Sequence, residues 1–250
     1  MKPLTITTLL AAGMLALGPI ALGFAADEQQ KGSQPTKIES SEKKSATVPV
    51  YKPPPRGAPG GRVGGGTRGT DQTFTLSVLA PTHTGQTLQE QPVLYWYLSK
   101  AISSPIEFTL ADDGIKPLIE TQIKPPFQPG VQKVRLADYG IHLVPGKLYK
   151  WFVTLVVDPD RRSKDVLAGG AIERVASPEA LAAKLPSDDK RKVAYAYAES
   201  GIWYDAIATL SDLVEATPQD KALHQQRASL LEQAGLAEIA EYDLRVVKGE

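Results

Sequence analysis

Ala194, Gly201 and Ala206 are echoed 34 positions later by Ala228, Gly235 and Ala240, with Ala222 between the two sets. A period near 34 residues implies a unit of two helices and a turn, repeated along the chain. Glycine suits the turn because a left-handed residue that closes a helix is unstrained only when it lacks a Cβ. The alanines mark places where one helix runs close to the next. The echo also limits the fold. One and a half such units cannot bury their own apolar faces, since stacked helical repeats need about three copies to stand alone. These helices therefore need another layer to cover.

The whole of region 177–246 reads as helical. Ser177-Pro178-Glu179 is a helix start: a cap, a proline in the first turn and an acid near the positive end. That helix stops before Pro186. Ser187 with Asp188 and Asp189 opens a second, which runs to Glu199 and closes at Gly201. A third covers Trp203 to Ala216, Thr217-Pro218 opens a fourth that ends at Gly235, and a short fifth follows. The second unit of the echo begins near Lys221 and runs out of chain. The pattern resembles the tetratricopeptide repeat, a helix-turn-helix unit used to hold partner chains.

Residues 73–175 carry a different rhythm. Phe74, Leu76 and Val78 alternate, as do Ile106, Phe108 and Leu110. Val93 to Leu98 is a dense apolar and aromatic run, Asp112-Asp113-Gly114 makes a turn, and further runs lie at 118–123, 131–136 and 148–157. About seven strands spaced in this way predict an antiparallel β-sandwich. Leu143-Val144-Pro145-Gly146-Lys147-Leu148-Tyr149 resembles the tyrosine corner of immunoglobulin-like and fibronectin type III sandwiches. In that motif a tyrosine hydroxyl at a strand start bonds to backbone upstream. Tyr149 would be that residue, and Trp96 would fill the centre of the core. Strand 148–157 has large apolar groups on both faces: Trp151, Val153 and Leu155 on one, Leu148, Phe152 and Val156 on the other. A strand facing water should alternate, so its outer face is expected to be covered by the C-terminal helices. The fold class is thus α+β, an N-terminal sandwich packed against a C-terminal helical hairpin.

Before residue 73 the chain has little to build a core with. Residues 1–25 read as a cleaved secretory signal: Lys2, an apolar run from Leu4 to Phe24, and small residues ending at Ala25. Export to the periplasm or beyond follows, with no membrane span after cleavage. Residues 26–72 form a Pro/Gly-rich tail whose composition points to a disordered linker. Arg56, Arg62 and Arg68 sit among its glycines without aromatic neighbours, so they offer no stacking platform for nucleic acid. A net charge of zero also argues against nucleic acid as a partner. The chain has no cysteine, hence no disulfide or thiolate metal site.

Residues that could carry chemistry are few. His83, His142 and His224 match no metal-ligand spacing and read as surface or turn histidines. No phosphate loop, dinucleotide fingerprint or nucleophile elbow occurs, so neither a cofactor nor an enzyme activity is expected. The densest polar cluster is Asp158-Pro159-Asp160-Arg161-Arg162-Ser163-Lys164-Asp165. It could hold Ca²⁺ or supply the carboxylate pair of a glycoside hydrolase. The adjacent Arg161 and Arg162 favour a tight turn locked by ion pairs instead. Tyr95, Trp96, Tyr97 and Trp151 could stack on sugar, although alternate residues of a sandwich strand must point inward. Trp203 and Tyr204, just after Gly201, suit an interface between strands and helices.

Three segments together resemble a known family. They are Arg62-Val63-Gly64-Gly65-Gly66-Thr67-Arg68-Gly69, the turn Asp158-Pro159-Asp160-Arg161, and Gly201-Ile202-Trp203-Tyr204-Asp205-Ala206. They are similar to the Domain of Unknown Function 928 family of secreted cyanobacterial proteins, over about Arg56 to Leu236. The resemblance implies a source and an exported location but no reaction. It also implies that part of the Gly-rich segment is an ordered lead-in to the sandwich. The expectation is a non-catalytic interaction or structural module, with another extracytoplasmic protein or a cell-wall polymer as partner. The alternatives are a glycan-binding protein and a hydrolase using Asp158 or Asp160.

Overall fold

Strand β4 (Val93–Leu98) organises the molecule, because all but one of its side chains are buried. In the computed structural model, which describes residues 48–54, 62–66, 74–112, 116–183, 185 and 188–249, two sheets and five helices make a mixed α+β architecture. The strands are β1 (Gly65–Gly66), β2 (Thr75–Val78), β3 (Gly85–Thr87), β4, β5 (Ile106–Ala111), β6 (Ile119–Ile123), β7 (Gly130–Arg135), β8 (Leu148–Leu155) and β9 (Val166–Arg174). A four-stranded sheet runs in the order β1-β2-β4-β7 and a five-stranded sheet in the order β3-β9-β8-β5-β6. The helices are α1 (Glu179–Ala182), α2 (Lys190–Glu199), α3 (Trp203–Ala216), α4 (Lys221–Gln233) and α5 (Ala237–Lys248).

Leu76, Val78, Leu94, Trp96 and Leu98 from the smaller sheet share one core with Ile106, Phe108, Leu110, Trp151 and Val153 from the larger. Tyr149 is buried, and its hydroxyl accepts the Val144 N–H at 3.0 Å, the upstream backbone bond expected of it. Among the described residues, pairing between the named strands is antiparallel with one departure from the expected pattern: β3 runs parallel to β9, with Gly85 opposite Ile172. The chain leaves β2 in the smaller sheet and reaches the edge of the larger one as β3, where it runs in the same direction as β9.

The two helical hairpins, α2–α3 and α4–α5, repeat at the spacing of the echo. Gly201 and Gly235 both have positive φ, at 78° and 70°. After each, the next N–H closes back on the helix: Ile202 to Tyr197 O and Leu236 to Leu231 O, both 2.9 Å. Ala194, Ala206, Ala228 and Ala240 are all buried. The second unit does not run out of chain, since α5 completes it as a hairpin. Its helix α4 opens at Asp220, whose carboxylate accepts the Ala222 and Leu223 N–H groups, rather than at Thr217-Pro218.

The helices cover a different strand from the one expected. Leu148 is exposed and Phe152 half-buried on the outer face of β8, and Phe152 lies against Gly169 of its own sheet. Lys150 and Thr154 interrupt that face and make it a poor seat for a helix. The helices instead lie on the outer face of β4. There the Tyr95 hydroxyl donates to Asp212 of α3 at 2.9 Å, and Tyr97 packs edge-on against Tyr242 of α5 at 5.4 Å between ring centroids. Tyrosines suit such a seat, since the ring gives buried area and the hydroxyl finds a partner.

The expected disordered linker, residues 26–72, contains two packed segments. Tyr51 is buried against Trp203. Its N–H donates to Gln233 at 2.8 Å, and the Lys52 N–H donates to Ala198 O at 3.1 Å. Arg62 donates to the terminal carbonyls of α4, Ala234 at 3.2 Å and Gly235 at 2.9 Å. Val63 bridges to Gly169 of one sheet while Gly65–Gly66 pairs with β2 of the other. Glycine composition concealed these segments, because backbone bonds and single anchors hold them rather than apolar runs. The expected signal, residues 1–25, lies outside the described residues, as do Arg56, Arg68 and Ser187. Among the described residues no helix is long and apolar enough to cross a membrane.

Candidate functional site

Trp203 and Tyr204 open α3 and are wholly buried where the helix enters the sheets. The Trp203 indole donates to Leu79 O at 2.8 Å. The Tyr204 hydroxyl donates to Ala171 O at 2.9 Å and accepts from the Trp151 indole at 2.9 Å. Gly85 and Gly170 leave room for the Tyr204 side chain: a Cβ at Gly85 would stand 2.6 Å from its ring. The next residue, the buried Asp205, accepts from Thr87 Oγ1 at 2.6 Å, Leu88 N at 3.1 Å and Gln89 Nε2 at 3.0 Å. Burial raises its pKa, against the pull of those donors. These residues join helices to sheets, and Trp203 and Tyr204 offer no surface to a partner.

The Asp158 cluster is a turn. Asp158 Oδ1 accepts the Asp160 N–H at 3.1 Å, and its carboxylate lies 3.8 Å from Arg161 and 3.6 Å from Lys164. Such a side-chain bond to backbone two residues on is a standard way to build a turn. Arg162 grips both oxygens of Glu107 on β5 and donates to Asp165 at 2.5 Å. The carboxylates of Asp158, Glu107 and Asp165 thus lock the β8–β9 connection. Among the described residues no group of His, Asp and Glu is placed to hold a metal ion. The suggested sugar platform is also internal: Tyr95, Trp96, Tyr97 and Trp151 are all buried.

A cleft of about 630 Å³ lies between the smaller sheet and the helices. Tyr95 of β4 and Val131, Gln132 and Lys133 of β7 form the sheet side. Ser211, Val214 and Glu215 of α3, His224 and Arg227 of α4, and Tyr242 and Val246 of α5 form the helix side. Lys133 pairs with Glu215 across it. Ser211 is 3% exposed, and its buried hydroxyl has no hydrogen-bond partner among the described residues. Burial and the neighbouring Asp212 carboxylate push the Tyr95 phenol well above its ordinary pKa, so it stays a proton donor.

Behind the cleft wall, α4 and α5 are clasped by charge. Arg227 donates to Asp243 through Nε at 2.7 Å and Nη2 at 2.6 Å. The His224 Nδ1 stands 2.9 Å from Asp243, and its Nε2 stands 2.9 Å from Pro218 O. Both ring nitrogens therefore face groups that only accept, which favours the doubly protonated ring. The bond to Asp243 is the main reason the His224 pKa is raised. Burial by itself would raise the Asp243 pKa, but the donors from Arg227 and His224 overcome it and hold the carboxyl below its ordinary range. His224 is thus buried in a network, not a surface or turn residue. The readable signal was His224 and Arg227 three apart, on one helix face. His142 does lie at the surface, beside Glu90 at 2.8 Å, and His83 stacks on Tyr51.

The family model for Domain of Unknown Function (DUF928) matches residues 63–244. Among solved structures, a multi-domain immunophilin from Arabidopsis thaliana is similar at 8% identity, covering 79% of this chain and 100% of its own with a TM-score of 0.22. That likeness is too slight to bear on fold or function. None of the curated proteins compared with the chain matches it.

Proposed function

The chain belongs to the Domain of Unknown Function (DUF928) family, and for it we propose an exported, non-catalytic binding module whose partner enters the cleft between β7 and the two hairpins. The observation that carries this reading is the cleft itself, in which polar Gln132, Lys133 and Glu215 stand among apolar Val131, Val214 and Val246. Clefts of some 300–1,000 Å³ with a few polar groups among apolar ones are the usual form of a binding site.

The finer architecture belongs to the same proposal. The Tyr149–Val144 bond and the buried Trp96 support an immunoglobulin-like sandwich. The paired hairpins, with Gly201 and Gly235 as equivalent turns, support a tetratricopeptide-like element that has been turned onto a sheet. Export and a cyanobacterial source rest on the N-terminal sequence and the family resemblance. The turn built by Asp158 and the burial of the strand aromatics support a binding module over a hydrolase or a glycan binder.

A photo-reactive residue in place of Gln132 tests the reading in an extracytoplasmic extract, with the same residue at exposed Glu120 on β6 as control. A discrete cross-linked species from position 132 alone is expected. Cross-links from neither position, or the same set from both, would remove the cleft as the binding site.

A further inference from the structure

We infer that the cleft takes an extended peptide, which adds as a strand to the open edge of β7 and presents acidic side chains to Lys133 and Arg135. This rests on the proposed binding role and specifies its mode.

The first support is the hydrogen-bond phase of β7. In an antiparallel pair, residues alternate between bonding the neighbour and pointing away from it. The Leu136 N–H donates to Pro92 O at 3.2 Å, so Leu136 bonds toward β4. Val134, Gln132 and Gly130, opposite Leu94, Trp96 and Leu98, then do the same. The other side of β4 agrees: the Leu79 N–H reaches Tyr95 O at 2.8 Å, so the odd residues of β4 bond β2. The backbone groups of Val131, Lys133 and Arg135 must therefore project from the far edge. That edge ends the sheet among the described residues.

The second support is where the cleft lies. Side chains on a strand alternate between faces. Val131 and Lys133, opposite Tyr97 and Tyr95, look toward the helices, whereas Gln132, opposite Trp96, lies on the other face. All three line the same cleft. The hollow thus lies against the edge strand of the smaller sheet. Val131 and Lys133, whose backbone groups lack a neighbouring strand, are among its lining residues. Unpaired strand edges are templates for pairing with another chain, and addition of an extended peptide is a recurring recognition mode.

The third support fixes the chemistry. An added antiparallel strand places its residues directly opposite Val131, Lys133 and Arg135 on the helix-facing side, where cross-strand pairs favour opposite charge. Val131 stands with Tyr242 and Val246, and an apolar residue fits opposite it. Lys133 and exposed Arg135 each suit a carboxylate. Read from its N-terminus, the occupant is acidic, spacer, acidic, spacer, apolar. Glu215 already meets Lys133, but an ammonium has three donors and can serve both carboxylates.

The test is amide hydrogen exchange on the isotope-labelled chain with two probes, acetyl-TETETVT-amide and its charge-reversed form acetyl-TKTKTVT-amide. At acidic peptide ten times over its dissociation constant, exchange at Val131, Lys133 and Arg135 is expected to slow about tenfold, as fractional occupancy requires. The basic peptide should have no effect. The double variant Lys133→Glu with Arg135→Glu should exchange the two preferences. Its amides at Gln132 and Val134, which bond β4, report whether the sheet is still formed. Equal protection by both peptides, or none at the odd residues, overturns the inference. If cross-linking through Gln132 nevertheless recovers a partner, strand addition fails while the binding module stands.

Discussion

Replacing Asp243 by alanine should destabilise the protein by about 3–5 kcal/mol, the usual cost of stranding the partner of a buried ion pair. Asp243 is fully buried and accepts two bonds from Arg227 and one from His224. Bonds to charged groups contribute about 1.5–3 kcal/mol each, so three of them set an upper range of about 5–9 kcal/mol. The lower figure is expected because Arg227 and His224 also line the cleft, where water can reach part of each cation once the carboxylate is gone. Urea unfolding followed by tryptophan fluorescence suits the measurement, since all 3 tryptophans are buried. The double variant Arg227→Met with Asp243→Leu separates charge stranding from simple loss of contact. Replacing both members by apolar groups is often neutral or better, and neutral His224 keeps its bond to Pro218. The double variant should recover to within about 1 kcal/mol of the parent, as paired replacements do. A loss under about 1 kcal/mol for Asp243→Ala, the level of an exposed pair, would refute the reasoning. So would a double variant as unstable as the single one.

Three further outcomes follow from the same geometry. Because the folded pKa of His224 is raised above the ordinary 6.5, its contribution is complete below that value and is lost as pH rises through the folded pKa. Urea midpoints should therefore fall from pH 6 upward (approximate settings), and His224→Gln should flatten that slope. A Gly85→Ala substitution drives a Cβ to 2.6 Å from the Tyr204 ring, which is held by bonds at its hydroxyl. A cost of about 1–3 kcal/mol is expected for such overpacking, relieved when Tyr204→Leu is added. Tyr149→Phe leaves the Val144 N–H without its acceptor and should lower unfolding free energy by about 0.5–1.5 kcal/mol. An unchanged midpoint would deny that bond a structural role.

Local signals were legible where a single residue decides the backbone. Gly201 and Gly235 marked both helix turns, because a left-handed turn residue is visible in composition. Tyr149 was legible through the Leu143–Leu148 run before it. What stayed hidden depended on three dimensions. Strands β4 and β8 both carry large side chains on two faces, and the sequence does not say which face meets the helices. The difference lies in polar handles. Tyr95 is buried with its hydroxyl on Asp212 and Tyr97 with its ring against Tyr242, whereas Lys150 and Thr154 interrupt the outer face of β8. The cleft was hidden for a similar reason. Its members come from β4, β7, α3, α4 and α5, and no local pattern joins Lys133 to Arg227. Tyr51 and Arg62 were masked by proline and glycine around them, although each fixes its segment with a few specific bonds.

Every property of the cleft depends on the helices lying over Tyr97 rather than over Phe152. Proton–proton contacts in solution measure this directly. The ring protons of Tyr97 and Tyr242, whose centroids are 5.4 Å apart, should show strong mutual cross-peaks, and Phe152 should show contacts to Gly169 but none to α3, α4 or α5. Contacts from those helices to Phe152 or Leu148, with none between Tyr97 and Tyr242, would contradict the architecture and the binding site built on it.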